Sequence, residues 1–238
     1  MNASSISRRL LGSAAVATVL AVLGGAAAAA PGPASSAPSF TVGQRFSLSL
    51  NAYDTTLMVS LPPPLPKVTF TGRRTVEITR VNGPEATYRV TDFSMSGHYP
   101  MFGKVSLTAP DNGDTGTGRL QNVNGQIMDT WSQPLMLTFE QCSGHPGPFI
   151  LATNHQPAQW AARLDQFPPP PQSTNPDGSP AGGALYSPTR AIGFTPTPRH
   201  PLPAAEECPL SSPVPDGTSE DDRAVLRGMN ISQGGIPS

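Results

Sequence analysis

Thr75-Val76-Glu77-Ile78-Thr79-Arg80-Val81-Asn82-Gly83-Pro84-Glu85-Ala86-Thr87-Tyr88-Arg89-Val90 decides the fold class of this chain. Val76 with Ile78, and Tyr88 with Val90, place apolar side chains at every second position, the period of a half-buried β-strand. Asn82 and Gly83 between them tolerate positive φ, so the segments Thr75 to Val81 and Ala86 to Phe93 read as a hairpin.

The same alternation recurs outward in both directions. Phe46, Leu48 and Leu50 show it, as do Val68 with Phe70, Val105 with Leu107, and Leu135, Leu137 and Phe139. Turn signals separate these runs at Pro62-Pro63-Pro64, Asp111-Asn112-Gly113 and Asn124-Gly125. Many short alternating strands with regular turns predict an all-β fold, an antiparallel β-sandwich or barrel-like domain. Helix is expected in two short places only. Trp160 and Leu164 share a face at i, i+4 within Gln156 to Phe167, and Ser219 to Met229 carries acidic residues at its start and Arg227-Gly228 at its end.

Proline sets the domain plan. Residues 31–165 hold fourteen prolines, and residues 166–238, about half as many, hold fifteen. The first segment is therefore expected to be the β domain and the second a proline-rich, largely irregular tail, with Pro168 to Pro171 in extended polyproline geometry. Residues 1–30 read as an export signal: Arg8 and Arg9, an apolar run from Leu10 to Leu23, then small residues to Ala30. Ser7-Arg8-Arg9-Leu10-Leu11 resembles a twin-arginine signal, and the general secretory route stays open beside it. Proline after the cut resists cleavage, which puts the expected scissile bond after Ala26 to Ala29 rather than at Ala30-Pro31. No second apolar stretch approaches twenty residues, so no transmembrane segment is expected once the signal is removed.

Cys142 and Cys208 are the only cysteines, and an exported chain keeps such a pair oxidised; one disulfide between them would fasten the tail to the body. The net charge is −1, and loss of Arg8 and Arg9 with the signal makes it two units more negative. A chain so near neutrality has no broad field to hold a polyanion, which argues against nucleic-acid partners. Only Lys67 and Lys104 are lysines, and with abundant Ala, Gly and Pro the composition is that of a GC-rich bacterial genome.

Candidate chemistry is sparse. Met95, His98 and Met101 form a Met-x-x-His-x-x-Met run whose thioether and imidazole ligands suit copper, and Cys142 to His145 adds C-x-x-H spacing. Asp114-Thr115-Gly116 spells the aspartic-protease triplet once where that mechanism needs two carboxylates. Asp111 and Asp114 could contribute to a calcium loop, but Gly113, Thr115 and Asn122 occupy positions where the EF-hand needs ligands. A glycine-rich turn is the simpler account of that stretch. Hydrolase motifs are missing: no G-x-S-x-G, H-E-x-x-H, Walker loop or G-x-G-x-x-G occurs. A dispersed triad would draw on His98, His145, His155 or His200, on Asp92, Asp129 or Asp165, and on a serine such as Ser94 or Ser143. Trp131, Trp160, Tyr99 and Phe102 could line a carbohydrate platform or fill the core. No cofactor is implied.

From Gly97-His98-Tyr99-Pro100-Met101-Phe102-Gly103-Lys104, through Leu135 to Phe139, to Asp165-Gln166-Phe167-Pro168-Pro169, the chain resembles uncharacterised secreted actinobacterial β-rich proteins over about residues 70–170. That resemblance implies an exported β-rich class and lends no activity or site residue. The expectation is an exported, noncatalytic binding or envelope-associated module whose ligand is not written in its motifs. A secreted hydrolase and an extracytoplasmic copper protein are the alternatives.

Overall fold

Fifteen short to long strands, and one 3-10 turn, make up the computed structural model, which describes residues 39–111, 113, 115–153, 156–199, 202 and 208–237. The expected export signal, residues 1–30, lies outside the described residues. In chain order the strands are β1 Arg45–Met58, β2 Lys67–Asn82, β3 Glu85–Tyr99, β4 Gly103–Thr108, β5 Thr117–Val123, β6 Gln126–Gln133, β7 Met136–Cys142 and β8 His145–Thr153. They continue with β9 Ala158–Leu164, β10 Gln172–Thr174, β11 Pro180–Gly182, β12 Ala184–Pro188, β13 Ile192–Pro196, β14 Ala224–Arg227 and β15 Ile231–Gly235. The all-β, antiparallel expectation holds, and of its two forms the barrel is the one realised.

Hydrogen-bonded neighbours close two rings of eight strands that share β1, β2 and β3. The first runs β1-β2-β3-β5-β6-β9-β12-β15 and returns to β1. The second runs β1-β2-β3-β4-β7-β8-β13-β14 and also returns to β1. The sharing is possible because β1 to β3 have 14, 16 and 15 residues, twice the length of most others. Closure leaves neither ring with an open edge to recruit another strand.

Turn chemistry fixes the register. β2 and β3 pair to Asn82–Glu85 around a two-residue loop with Gly83 at φ 57°, the expected hairpin. Asn124 and Gly125 between β5 and β6, and Ser143 and Gly144 between β7 and β8, all have positive φ and make the mirror-image turns that match strand twist. Cys142 and His145 are thus the closing pair of a hairpin, which accounts for their C-x-x-H spacing.

The strands expected from the alternation bury their apolar faces, except that Phe46 near the start of β1 is half-buried. Val68, Phe70, Leu107, Leu137, Phe139, Leu151 and Phe194 are fully buried in the second ring, and Leu48, Val76, Ile78 and Tyr186 in the first. Eight-stranded barrels are just wide enough for side chains to fill them, so both interiors are core.

Both short helices expected from the sequence are absent. Gln156 to Phe167 forms β9, with Ala158, Trp160, Ala162 and Leu164 buried. Positions 160 and 164 are four apart, which satisfies a period of two as well as one of 3.6, and pairing on both sides with β6 and β12 decides the matter. Ser219 to Met229 holds a turn and then β14, whose Ala224, Val225 and Leu226 are all buried.

The chain after residue 165 is largely irregular but is no appendage. Residues 35–238 form one compact unit. β12 and β15 close the first ring and β13 and β14 close the second, so each barrel needs strands from this segment. Its prolines fall where a ladder tolerates them: Pro180 begins β11, Pro188 ends β12 and Pro196 ends β13. Cys142 and Cys208 form the expected disulfide, with Cα atoms 5.6 Å apart, and both are buried.

Candidate functional site

Two features of the first ring bear on function: a charged cluster inside its wall and a trough outside it. Arg74 sits on β2 at an inward position between Phe70 and Val76, and Asp129 sits inward on β6 between Ile127 and Trp131. Both side chains are 0% exposed. Arg74 Nη2 lies 3.5 Å from Asp129 Oδ2, and Nη1 donates to Tyr88 Oη at 3.4 Å. The Asp129 carboxylate accepts the Tyr88 hydroxyl at 2.8 Å and the Tyr186 hydroxyl at 2.7 Å; Gln233 Nε2 in turn donates to Tyr186 Oη at 3.0 Å.

Aromatic faces supply what hydrogen bonds do not. Arg74 Nε has no hydrogen-bond partner among the described residues, but the guanidinium carbon lies 4.0 Å from the Trp131 ring centroid. Trp131 and Trp160 are directly opposed across β6 and β9 and stack at 4.3 Å and 18°. A cation over a desolvated tryptophan gains about 2 kcal/mol, which offsets part of the missing bond. Burial pushes the Asp129 carboxyl above its ordinary value, against the pull of Arg74 and the two phenols. It pushes the Tyr88 and Tyr186 phenols well up, so both stay protonated donors. Tyr88, Trp131, Trp160 and Tyr186 are all within 2% of full burial. The cluster is a buried part of the core that braces the wall.

Glycines allow this packing. Tyr88 is paired with Gly118 on β5, and a Cβ at Gly118 would overlap the Tyr88 ring. Gly118→Val is expected to force the phenol off Asp129 and to lower stability by about 1–3 kcal/mol, read as a drop in the thermal midpoint. An unchanged midpoint would show that Tyr88 is free to move.

The outward side chains of the same strands form a trough of about 590 Å³. Thr79, Thr87, Thr117, Thr130, Ser132 and Gln159 contribute most of its polar groups, and Arg89 and Arg119 flank them. Arg89 is paired to Glu77 at 3.1 Å and Arg119 to Glu85 at 2.6 Å. Hydrogen bonds from Arg45, and the charge of Arg89, hold the Glu77 carboxyl below its usual range. Thus the trough presents hydroxyls, an amide and already paired guanidinium groups above the buried rings of Tyr88, Trp131 and Trp160. Among the described residues, no carboxylate, imidazole or thiol lines it.

The residues singled out from the sequence fall elsewhere. Met95 is buried in the core, His98 is exposed on the same strand three positions on, and Met101 lies in the following turn. An odd separation in a strand points side chains to opposite faces, so β3 does not bring Met95 and His98 to one centre. Among the described residues no group of three His, Cys, Asp or Glu is placed to hold a metal. His155, His200, Asn112 and Asp114 lie outside the described residues. Asp129 orients no histidine; its oxygens are taken by two phenols and Arg74. Trp131, Trp160 and Phe102 are buried, so they offer no exposed platform for a sugar ring.

Arg74 and Asp129 carried a signal that the strand pattern alone could have read. Each occupies a position reserved by the period of two for an apolar residue, and a charge on that face must find a partner inside.

No family model matches the chain, and no curated protein matches it. Among solved structures, DynF from the dynemicin biosynthesis pathway of Micromonospora chersina has a similar fold, with a TM-score of 0.57 over 83% of each chain at 15% identity. At that identity the likeness concerns the fold alone. Among the described residues no helix is long and apolar enough to cross a membrane.

Proposed function

We propose that this protein is an exported, noncatalytic binding module that holds a hydroxyl-rich ligand, a glycan of the cell envelope or the medium, in the trough of the first ring. The observation that carries this reading is the lining itself: threonine, serine and glutamine groups with paired arginines over the buried rings of Tyr88, Trp131 and Trp160, and, among the described residues, no carboxylate, imidazole or thiol. Hydroxyls and guanidinium groups exchange hydrogen bonds with sugar hydroxyls at positions water would otherwise occupy. Because the arginines are already paired, the face has little net field, which favours a neutral polymer over a polyanion. The disulfide and the signal-like first thirty residues support work outside the cytoplasm, as does the resemblance to secreted β-rich proteins.

Affinity electrophoresis of the mature protein through gels containing dextran, xylan or mannan tests this directly. At least one polymer should retard it, and a single-stranded DNA oligomer should not. Thr117 and Ser132 are directly opposed on β5 and β6. Thr117→Val with Ser132→Val should weaken binding about tenfold to thirtyfold, the worth of two hydrogen bonds at about 1 kcal/mol each. Migration unaffected by all three polymers, or retardation by DNA alone, would reject the reading.

A further inference from the structure

The shared strands carry a second concavity of about 540 Å³ on the outer face of the second ring. Thr71, Ser94, Ser96, Ser106 and Thr108 line it, with Arg73 and Lys104 beside them. Its chemistry repeats that of the first trough: strand hydroxyls flanked by cations and, among the described residues, no carboxylate, imidazole or thiol in the lining.

The two concavities lie on one continuous face. On β2 the even positions 68, 70, 74, 76 and 78 are buried, so both ring interiors lie on the same side of the strand. The odd positions Thr71, Arg73, Thr75, Glu77 and Thr79 therefore all face outward, from the second trough to the first. A bulge on β3 near Thr91 and Asp92 preserves the arrangement there, with Thr87 and Arg89 outward before it and Ser94 and Ser96 after it. Midway, Arg73 reaches Asp92 at 3.5 Å and Arg89 reaches Glu77, so the floor between the troughs is a hydrogen-bonding surface with exposed polar ends. From Thr71 to Thr79 the strand rises about 26 Å, at about 3.3 Å per residue.

Resting on the glycan-binding reading above, we infer that the two troughs are the ends of a single track and that the ligand is an extended polysaccharide chain lying along β2 and β3 across both rings. Energetics favour a chain over a small sugar. A hydrogen bond exchanged with water contributes little and association costs several kcal/mol, so a surface whose rings, Tyr88, Trp131 and Trp160, are no more than 2% exposed needs many contacts at once. Linking two weak subsites through one ligand makes the second contact intramolecular and multiplies the affinity without new chemistry.

The test uses the mature protein and size-fractionated oligomers of dextran, xylan and mannan, with binding measured by calorimetry. Affinity should climb about a hundredfold as oligomers lengthen to about 26 Å and level off beyond that span. Ser96 and Ser106 are directly opposed on β3 and β4. Ser96→Val with Ser106→Val should weaken long oligomers about tenfold and leave short ones unchanged, whereas Thr117→Val with Ser132→Val weakens both; circular dichroism confirms that each variant is folded. Affinity independent of length, or a second-trough variant that affects long oligomers not at all or short ones equally, overturns the track and leaves the binding reading standing. Failure of every polymer and oligomer to bind overturns both.

Discussion

Asp129→Asn is expected to destabilise the protein by about 3–5 kcal/mol, more than Arg74→Met, although the two residues form one ion pair. The asymmetry comes from what each change leaves behind. Without the carboxylate, the Arg74 guanidinium stays charged at every accessible pH, fully buried, with its Nε already unpartnered. Without the guanidinium, the Asp129 carboxyl can take up a proton and keep its contacts with Tyr88 and Tyr186. Arg74→Met should therefore gain a pH dependence. Burial already raises the Asp129 carboxyl above its ordinary value, and removal of Arg74 removes the charge that opposes this. A folded state that holds the proton more tightly than the unfolded chain is favoured at low pH. Its stability falls as pH rises above the unfolded value, about 3.9, and through the raised folded one. Urea titrations at pH 5 and pH 8 read both effects, with a midpoint displaced by about 1–3 M for Asp129→Asn at the usual urea slope. The double variant Arg74→Met, Asp129→Leu should recover part of the loss, since replacing a buried pair by apolar groups removes both desolvation costs. Equal penalties for the two single variants, with no pH dependence, would mean that the cluster is less dry than its burial indicates.

What the sequence disclosed and what it concealed follow from the range of the interactions. Alternation along β1, β2, β3, β4 and β7 is a local property, and the turn residues at Asn82-Gly83 and Asn124-Gly125 fix neighbouring strands in register. Ring closure is not local. β1 meets β15 some 180 positions later, and Trp160 Nε1 donates to the Met229 carbonyl across a separation of 69. No periodicity can announce such pairings. The proline count correctly implied a largely irregular backbone after residue 165, but prolines at strand ends leave short ladders intact, and four short strands of this segment, β12 to β15, complete the rings. The outer troughs were hidden for another reason. Thr79, Thr87, Thr117 and Thr130 are ordinary strand residues on a wet face, and only the cross-strand registers put them beside one another. A methionine-histidine motif, by contrast, was conspicuous in the letters and is separated by the pleat.

Removing the Cys142–Cys208 bridge is expected to cost about 4 kcal/mol, because the disulfide closes a loop of 66 residues and so constrains the unfolded chain. The choice of replacement matters. Both cysteines are buried, at 0% and 2% exposure, so serine would add the cost of burying two hydroxyls, about 1–3 kcal/mol each where no partner exists. Cys142→Ala with Cys208→Ala isolates the cross-link, and the serine pair should be less stable again. The consequences should also be uneven in space. Cys142 ends β7 at the tip of a second-ring hairpin, and Cys208 precedes the turn Pro209–Ser211 whose Leu210 is buried against the core. Residues 208–214 lead from that turn toward β14, which pairs with β1 and β13 to complete the second ring. Hydrogen exchange should accelerate first at the amides of β13 and β14, while those of β6 and β9 around the Arg74 cluster keep their protection. A double-alanine variant within about 1 kcal/mol of the parent would show that the native contacts of residues 208–214 hold the strap without the bridge, and that the denatured chain is already compact enough to make the loop cheap to close. Faster exchange spread equally over both rings would instead make the two barrels one cooperative unit, tied through β1, β2 and β3.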